Sequence, residues 1–555
     1  MRLAAALVLA PLIAAAQPKP PETKPEDLAS LDGQVFDAAT GGALRKAAVV
    51  LRPFDTRTTP GFNGYSTSTD DSGKFAMRDI EPGRYRMTVS HSGYVTGAFG
   101  ARGPGRPGAT LSLDRAQKLT GLTVKLTPQG VVTGRIVDRD GDPIAGVQVV
   151  LLRYRFQQGS KQLERANGTS TNDLGEFRIS TVLPGKYYLS ATYRGDPFLL
   201  GTADRSTHGP AGESFVPTYY PGTSNFPTAS ELTITAGGRL DADLTLEKAR
   251  TVHISGRVVS PIGDPQSTTV GLAVRGLIVD PGLNQSTRAG AGGKFELRGV
   301  VPGSYYLVGV ESVGGMTHST LLPVDVGGSD IEDATLTIGP GIDLNGHVRI
   351  DGDSTVRLSS IRVALQPRDL ATIGEAPGNV TIAEDGTFHI EQVNLDVYNL
   401  SVPSLPQGFY LKSIKSGDTD VLASGLDLTN AAPGDLEVVL SSNAAQVAGL
   451  VQDPQTTQPV AGATVVLIPQ DKERRDQQRD YRVTTTDQSG GFNLMSLVPG
   501  DYQIYAWEDV ETGAYFDPDF VKPVESKGQK ISLHEKDQLT LQLVPIPADA
   551  PAVRP

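Results

Sequence analysis

One pattern recurs along the chain and limits what it can fold into. Asp71-Ser72-Gly73-Lys74-Phe75 is followed by Ile80-Glu81-Pro82-Gly83-Arg84-Tyr85. Asn172-Asp173-Leu174-Gly175-Glu176-Phe177 leads to Leu183-Pro184-Gly185-Lys186-Tyr187. Gly293-Lys294-Phe295 leads to Val301-Pro302-Gly303-Ser304-Tyr305, and Asp487-Gln488-Ser489-Gly490-Gly491-Phe492 to Val498-Pro499-Gly500-Asp501-Tyr502. A worn copy, Glu384-Asp385-Gly386-Thr387-Phe388, ends at Tyr398, with Leu395-Asp396 where Pro-Gly would stand. The copies lie about 100 residues apart, so each unit is large enough for its own core, unlike the short repeats of a solenoid. Upstream of each copy stands a glycine: Gly33, Gly134, Gly256, Gly346 and Gly449. Its distance to the phenylalanine is 42, 43, 39, 42 and 43 residues, which argues for one domain copied five times.

Short alternating segments fill each copy. After Pro82-Gly83, Tyr85, Met87 and Val89 fall on one face and Arg84, Arg86 and Thr88 on the other, the period of a half-buried strand. An opening strand carries the early glycine. A second strand follows, as at Gly146-Val147-Gln148-Val149, and Pro-Gly is expected to reverse the chain between the Phe strand and the Tyr strand. Closing strands are expected at 122–126, 240–246, 334–338, 436–440 and 539–544. Glycine (62) and proline (39) suit many strands joined by turns. The expected divisions are 1–16 signal peptide, 17–29 disordered lead, modules at 30–128, 129–248, 249–339, 340–442 and 443–547, and a tail at 548–555. Short linkers predict an elongated, semi-rigid monomeric rod of roughly 150 Å.

Met1-Arg2, an apolar run over 3–16 and Ala14-Ala15-Ala16 form a secretory signal, cleaved after Ala16, so a secreted or periplasmic protein is expected. No other run reaches membrane-spanning length. The chain has no cysteine, which removes disulfides, thiol catalysis and Cys metal sites. A net charge of −12 argues against nucleic acid. The charge run at 471–480 balances its signs and reads as a solvated loop or a frayed turn.

The pattern Gly-x-Val, Gly-x-x-Val, Asp-x-x-Gly-x-Phe and Pro-Gly-x-Tyr resembles carboxypeptidase regulatory-like modules, which are akin to transthyretin-like and Cna-B-like domains. The resemblance covers 30–545 in five copies. It implies an all-β chain of Ig-like or prealbumin-like Greek-key sandwiches with a carbohydrate-binding-like fold. The lysine–asparagine crosslink of Cna-B-like domains is not carried over, because the closing strands here lack asparagine.

Catalytic chemistry finds little footing. The seven histidines form no His-x-x-Glu or His-x-x-x-His pair, there is no Gly-x-Ser-x-Gly elbow, and no Gly-Lys pair precedes Ser or Thr. No catalytic residue, cofactor or metal is assigned. Gly103-Pro104-Gly105-Arg106-Pro107-Gly108 matches a dinucleotide fingerprint in letters but has no strand-to-helix context. Asp138, Asp140 and Asp142 have calcium-loop spacing without the distal glutamate, so a turn is the stronger reading. Asp70/Asp71, Asp173, Asp385 and Asp487 are read as Asx turns. Arg194-Gly195-Asp196 is read as a chance tripeptide.

The candidate ligand-binding residues are aromatics on the non-core face of the Tyr strands or in the loops after them. They are Trp507 (the single tryptophan), Tyr505, Tyr515 and Phe516 in the fifth module, and Tyr188, Tyr219 and Tyr220 in the second. A sugar ring stacks on an exposed aromatic platform, whereas a loop covering that face would bury it. The chain is therefore expected to be a non-enzymatic binding protein for carbohydrate or a cell-envelope polymer. The alternative is a structural or adhesive spacer working through protein contacts. Exposed coplanar rings favour the first, buried rings the second.

Overall fold

The computed structural model describes residues 24–54, 64–157, 160–193, 213–275, 285–367, 380–403, 405–429 and 433–548. The signal peptide, lead residues 17–23, Arg194-Gly195-Asp196 and the tail from 549 lie outside them. The chain is all-β, with eleven small sheets and two four-residue α-helices among the described residues.

The same three-strand motif forms five times. An opening strand lies between an antiparallel Phe strand and a parallel closing strand. Ala29–Asp37 pairs with Lys74–Ile80 and Lys118–Leu126, and Ala445–Val451 with Gly491–Leu497 and Gln538–Leu543. Facing each is a second sheet built on the second strand and the Tyr strand, such as Ala48–Pro53 with Gly83–Ser90 and Thr464–Pro469 with Gly500–Trp507. Each pair of sheets encloses its own cluster of buried side chains.

The constant glycine-to-phenylalanine spacing is a register pair. Gly33 lies opposite Phe75, Gly134 opposite Phe177, Gly256 opposite Phe295, Gly346 opposite Phe388 and Gly449 opposite Phe492. The glycine leaves room for the ring and for a carbonyl of the closing strand: a Cβ on Gly449 would stand 2.9 Å from the Phe492 ring and would overlap the Leu541 carbonyl oxygen. Four residues beyond each phenylalanine the backbone turns left-handed, at Asp79, Thr181, Gly299, Gln392 and Ser496. A bulge shifts the opening-strand register there in every copy.

The structure corrects the reading of Pro-Gly. The Phe strand and the Tyr strand belong to different sheets, so Pro-Gly forms a corner between sheets and not a hairpin. The tyrosine pins that corner. Its ring is buried, and its hydroxyl donates to the carbonyl four residues upstream: Tyr85 to Glu81 (2.7 Å), Tyr187 to Leu183 (2.8 Å), Tyr305 to Val301 (3.0 Å) and Tyr502 to Val498 (2.6 Å). The burial of each such ring contributes on the order of 2 kcal/mol. The worn copy keeps its buried Tyr398 without Pro-Gly.

Two further expectations change. The lead is shorter, because Pro25–Asp27 form a 3₁₀ turn and Ala29 is already a buried residue of the opening strand. The sandwiches also do not extend as a rod. Joints of three or four residues, such as 127–129 and 338–341, turn corners held by side chains. Gln129 Nε2 donates to the Tyr94 carbonyl (2.8 Å), and Asn394 bonds the backbone of Thr317 and Ser319. Glu535 accepts from Tyr410, Lys412 and Asn443. The chain bends until its first and fifth sandwiches touch, with Arg106 and Asp509 at 2.9 Å.

Candidate binding surfaces

The outer face of the fifth sandwich's second sheet carries Val466 and Ile468 beside Tyr505 and Trp507. So much apolar surface needs a cover. The segment after the Tyr strand supplies it as a string of short turns, Ala514–Phe516, Pro518–Val521 and Lys522–Lys527. Trp507 is 0 % exposed, Tyr505 2 %, Tyr515 5 % and Phe516 9 %. Tyr505 and Trp507 do stack, with centroids 5.0 Å apart and 17° between planes, but inside a second core that includes Val510, Val524 and Ile546. Burial, reinforced by the Glu525 charge, pushes the Tyr505 phenol up to about 12. The exposure expected of these four rings is therefore corrected: the loop closes the sheet instead of presenting it.

The charge run at 471–480 takes the second of its two readings, a short helical turn, with Asp471, Lys472, Glu473, Asp476 and Gln478 exposed while its arginines reach back to the sheet. Asp471 caps the helix Lys472–Arg475 by accepting from the Arg474 N–H (3.0 Å). The Arg474 guanidinium lies over the Tyr502 ring and bonds its hydroxyl. Arg475 Nε donates to the Pro469 carbonyl (2.7 Å), and Tyr481 donates back to the Arg475 carbonyl. Burial raises the Asp480 carboxyl above its ordinary value despite the nearby arginines.

In the second sandwich the rings are less enclosed. Tyr219 is 8 % exposed, while Tyr188 and Tyr220 are half-buried. Tyr188 and Tyr219 each meet Phe226 edge to face, at 5.1 and 5.2 Å, and Tyr188 meets Tyr154 at 5.9 Å. Tyr220 leaves this group and packs against the inner core. Tyr154 is 36 % exposed. Tyr154 and Phe226 were not among the sequence candidates. The signal for Tyr154 was its place two residues beyond Leu152, the register partner of Tyr188.

The Asx turns take their residues differently than expected in two copies. Asp70 accepts from the Ser72 and Lys74 N–H groups, and Asp487 from those of Ser489 and Gly491. In the second copy Asn172, not Asp173, fills this role. In the fourth, Ala383 holds the position and Asp385 accepts from Thr387 instead. Asp138 likewise accepts from Asp140 and Asp142, both at 3.0 Å, as a turn residue. Among the described residues no three His, Asp or Glu side chains converge as metal ligands would.

The Lys74 N–H bond, then the Ser72 hydroxyl, holds the Asp70 carboxyl below its usual range. A depressed carboxyl stabilises the fold above the unfolded value of about 3.9 and loses that contribution as pH falls through the folded value. Asn172 makes the same bonds without titrating. Asp70→Asn is thus expected to flatten the acid limb of the first sandwich's stability below about pH 4. Thermal melts followed by circular dichroism from pH 5 downward measure this; an unchanged slope contradicts it.

A cleft of about 760 Å³ opens between the first and fifth sandwiches. Arg84, Thr110 and Ser112 form one wall. The floor is the outer face of the fifth sandwich's three-stranded sheet, where Ala448, Leu450, Asn493, Thr540 and Gln542 point outward. That face carries no charge. The corresponding faces elsewhere carry Lys74 and Lys125, Arg135 and Glu176, Arg257 and Lys294, and Arg349 and Glu437. Within the Gly103–Gly108 stretch that matched a dinucleotide fingerprint, Gly103–Arg106 is a turn whose Arg106 pairs with Asp509.

The sequence model of the carboxypeptidase regulatory-like domain matches residues 30–127, 131–197 and 446–515. At those three stretches the chain carries carboxypeptidase regulatory-like domains. No curated protein matches it. Among solved structures, the Bacillus anthracis TIE protein is 13 % identical, over 56 % of this chain and 51 % of that one, with a TM-score of 0.16. The chain thus spans about half the length of that protein. A Streptococcal ancillary pilin is 12 % identical over 56 % of this chain and 98 % of its own, with a TM-score of 0.19. GBS52, the minor pilin of Streptococcus agalactiae, is 15 % identical over 40 % and 97 %, with a TM-score of 0.23. The carboxypeptidase regulatory-like domain is a non-catalytic module type. No helix among the described residues is long and apolar enough to cross a membrane.

Proposed function

We propose that this chain is a secreted or periplasmic, non-enzymatic structural or adhesive protein acting through protein contacts, with the five modules divided as the sequence suggests. One observation carries the reading: residues that differ between modules are spent on covering sheets and on joining one module to another. The loop over Trp507 is of the first kind, and Arg106–Asp509 and the Glu535 contacts are of the second. A second reading, binding of a carbohydrate or envelope polymer, is favoured by the part-exposed Tyr154–Tyr188–Phe226 group and the uncharged cleft floor. A pull-down of residues 17–555 on insoluble polysaccharides separates them. The structural reading expects no retention. Retention that is lost in Tyr154→Ala/Tyr188→Ala establishes polymer binding and overturns it.

A further inference from the structure

The contact between the first and fifth modules uses residues that the other modules do not share. Arg106, in the segment after the first module's Tyr strand, pairs with Asp509 at 2.9 Å, and each side chain is about three-quarters buried. Gln488 reads the backbone of an edge strand twice: its Oε1 accepts from the Ser112 N–H (3.0 Å) and its Nε2 donates to the Ser112 carbonyl (2.8 Å). The amide supplies an acceptor and a donor side by side, which a carboxylate cannot. The same turn position holds Asp71, Asp173, Ala291 and Glu384 in the other modules. Thr485 donates to the Gly108 carbonyl (3.1 Å).

Gly462 makes the closest approach. It sits at a left-handed turn position, φ +72°, and any Cβ there would overlap the Gly100 carbonyl oxygen. The equivalent turn residues, identified by their N–H bond to Thr69 and Thr171, are Lys46 and Gly146. Lys46 adopts the same conformation at φ 56°, and nothing lies within 4 Å of a Cβ at Gly146. The fold of a module therefore tolerates a side chain at this position. The bare glycine at 462 serves the contact with the first module.

The two patches are different surfaces, so the contact is heterologous. Such a contact closes a ring or runs from copy to copy, according to which partner supplies the second patch. The contact is polar and largely main-chain, the character of interfaces between domains that move relative to one another. Within one chain it is favoured by the high effective concentration of tethered ends. We propose that the first and fifth modules are a matched docking pair whose second partner is another copy of this chain, so that an opened chain joins a second copy head to tail. This goes beyond the adhesive reading and does not depend on it, because both surfaces belong to the chain itself.

Charge exchange tests it with the full chain from residue 17. Arg106→Asp alone and Asp509→Arg alone each set like charges against each other and are expected to open the ring, seen as a larger radius of gyration in X-ray scattering. The double variant restores an opposite pair and is expected to recover the compact monomer. When the two single variants are mixed in equal amounts, both head-to-tail contacts become complementary between copies, and light scattering should read twice the monomer mass. Adding Gly462→Lys to both chains of the mixture blocks both contacts and should abolish that doubling. Single variants as compact as the wild type, a mixture that stays monomeric, or a dimer indifferent to Gly462→Lys would each overturn the proposal.

Discussion

Trp507→Ala is expected to lower the stability of the fifth module by about 3–5 kcal/mol, a large share of what a domain of this size has. The ring is fully buried, stacks on Tyr505, and packs among Val466, Val510, Tyr515 and Ile546. Its removal leaves a cavity between sheet and loop that short turns around 514–527 cannot refill by moving together, because Gln503 Nε2 ties the Glu525 carbonyl to the sheet at 2.6 Å. Hydrogen exchange across 445–546 should rise sharply in the variant. In the wild type the same ring serves as a reporter. As the single tryptophan, it should emit at short wavelength, resist quenching by iodide, and report unfolding of the fifth module alone. Easy quenching, or a variant with wild-type exchange, would mean that the ring faces solvent and that the loop is no lid.

The second large effect concerns space and not a contact. Gly449→Ala is expected to cost about 3 kcal/mol, at the upper end of what overpacking a core produces. The backbone conformation at Gly449 suits any residue, so strain is not the cause. A methyl group there meets the Leu541 carbonyl on the parallel strand and the Phe492 ring at once. Both belong to strands fixed by pairing to the one that carries the glycine. Gly328→Ala, with nothing within 4 Å, is the control and should leave stability within a few tenths of a kcal/mol. Calorimetry of the two full-length variants, with Trp507 fluorescence marking the fifth module's transition, measures the difference. Equal melting of the two would show that the glycine-to-phenylalanine pairing does not govern the core.

Much of the fold was legible because its signals are local and repeated. Phe75 and Tyr85, with their four counterparts each, alternate with polar neighbours and so announce their burial. Gly73, Gly175, Gly293, Gly386 and Gly490 all hold positive φ at one turn, which the recurring letter implies. The Pro-Gly corner was misread because a turn sequence reports a change of direction and not which sheet the chain enters next. The tyrosine hydroxyl bond that pins the corner spans four residues, yet it becomes visible only once the corner is known.

The candidate site was legible in part. Period 2 placed Tyr505 and Trp507 on the face opposite the core, and they are there. Whether that face meets water or a lid depends on where the segment at 512–528 folds, and its composition suits either outcome. Tyr154 and Phe226 meet Tyr188 from another strand and from a turn beyond 194–212, so no spacing along the chain could join them.

By itself the sequence determined that the chain is all-β and repeats one pattern resembling the carboxypeptidase regulatory-like domain, with phenylalanine and tyrosine inside and aspartate, asparagine and glycine at the turns. Those properties rest on interactions within a few residues or on a spacing repeated five times. Tertiary structure alone decided that the fifth module's aromatic face is covered and that the chain bends until its first and fifth modules meet. Arg106 and Asp509 are 403 residues apart, and Gln488 and Ser112 are 376 apart. Contacts at that range depend on the summed angles of every joint between them. Each joint is a few residues held by side chains of two modules, and no local pattern encodes their sum.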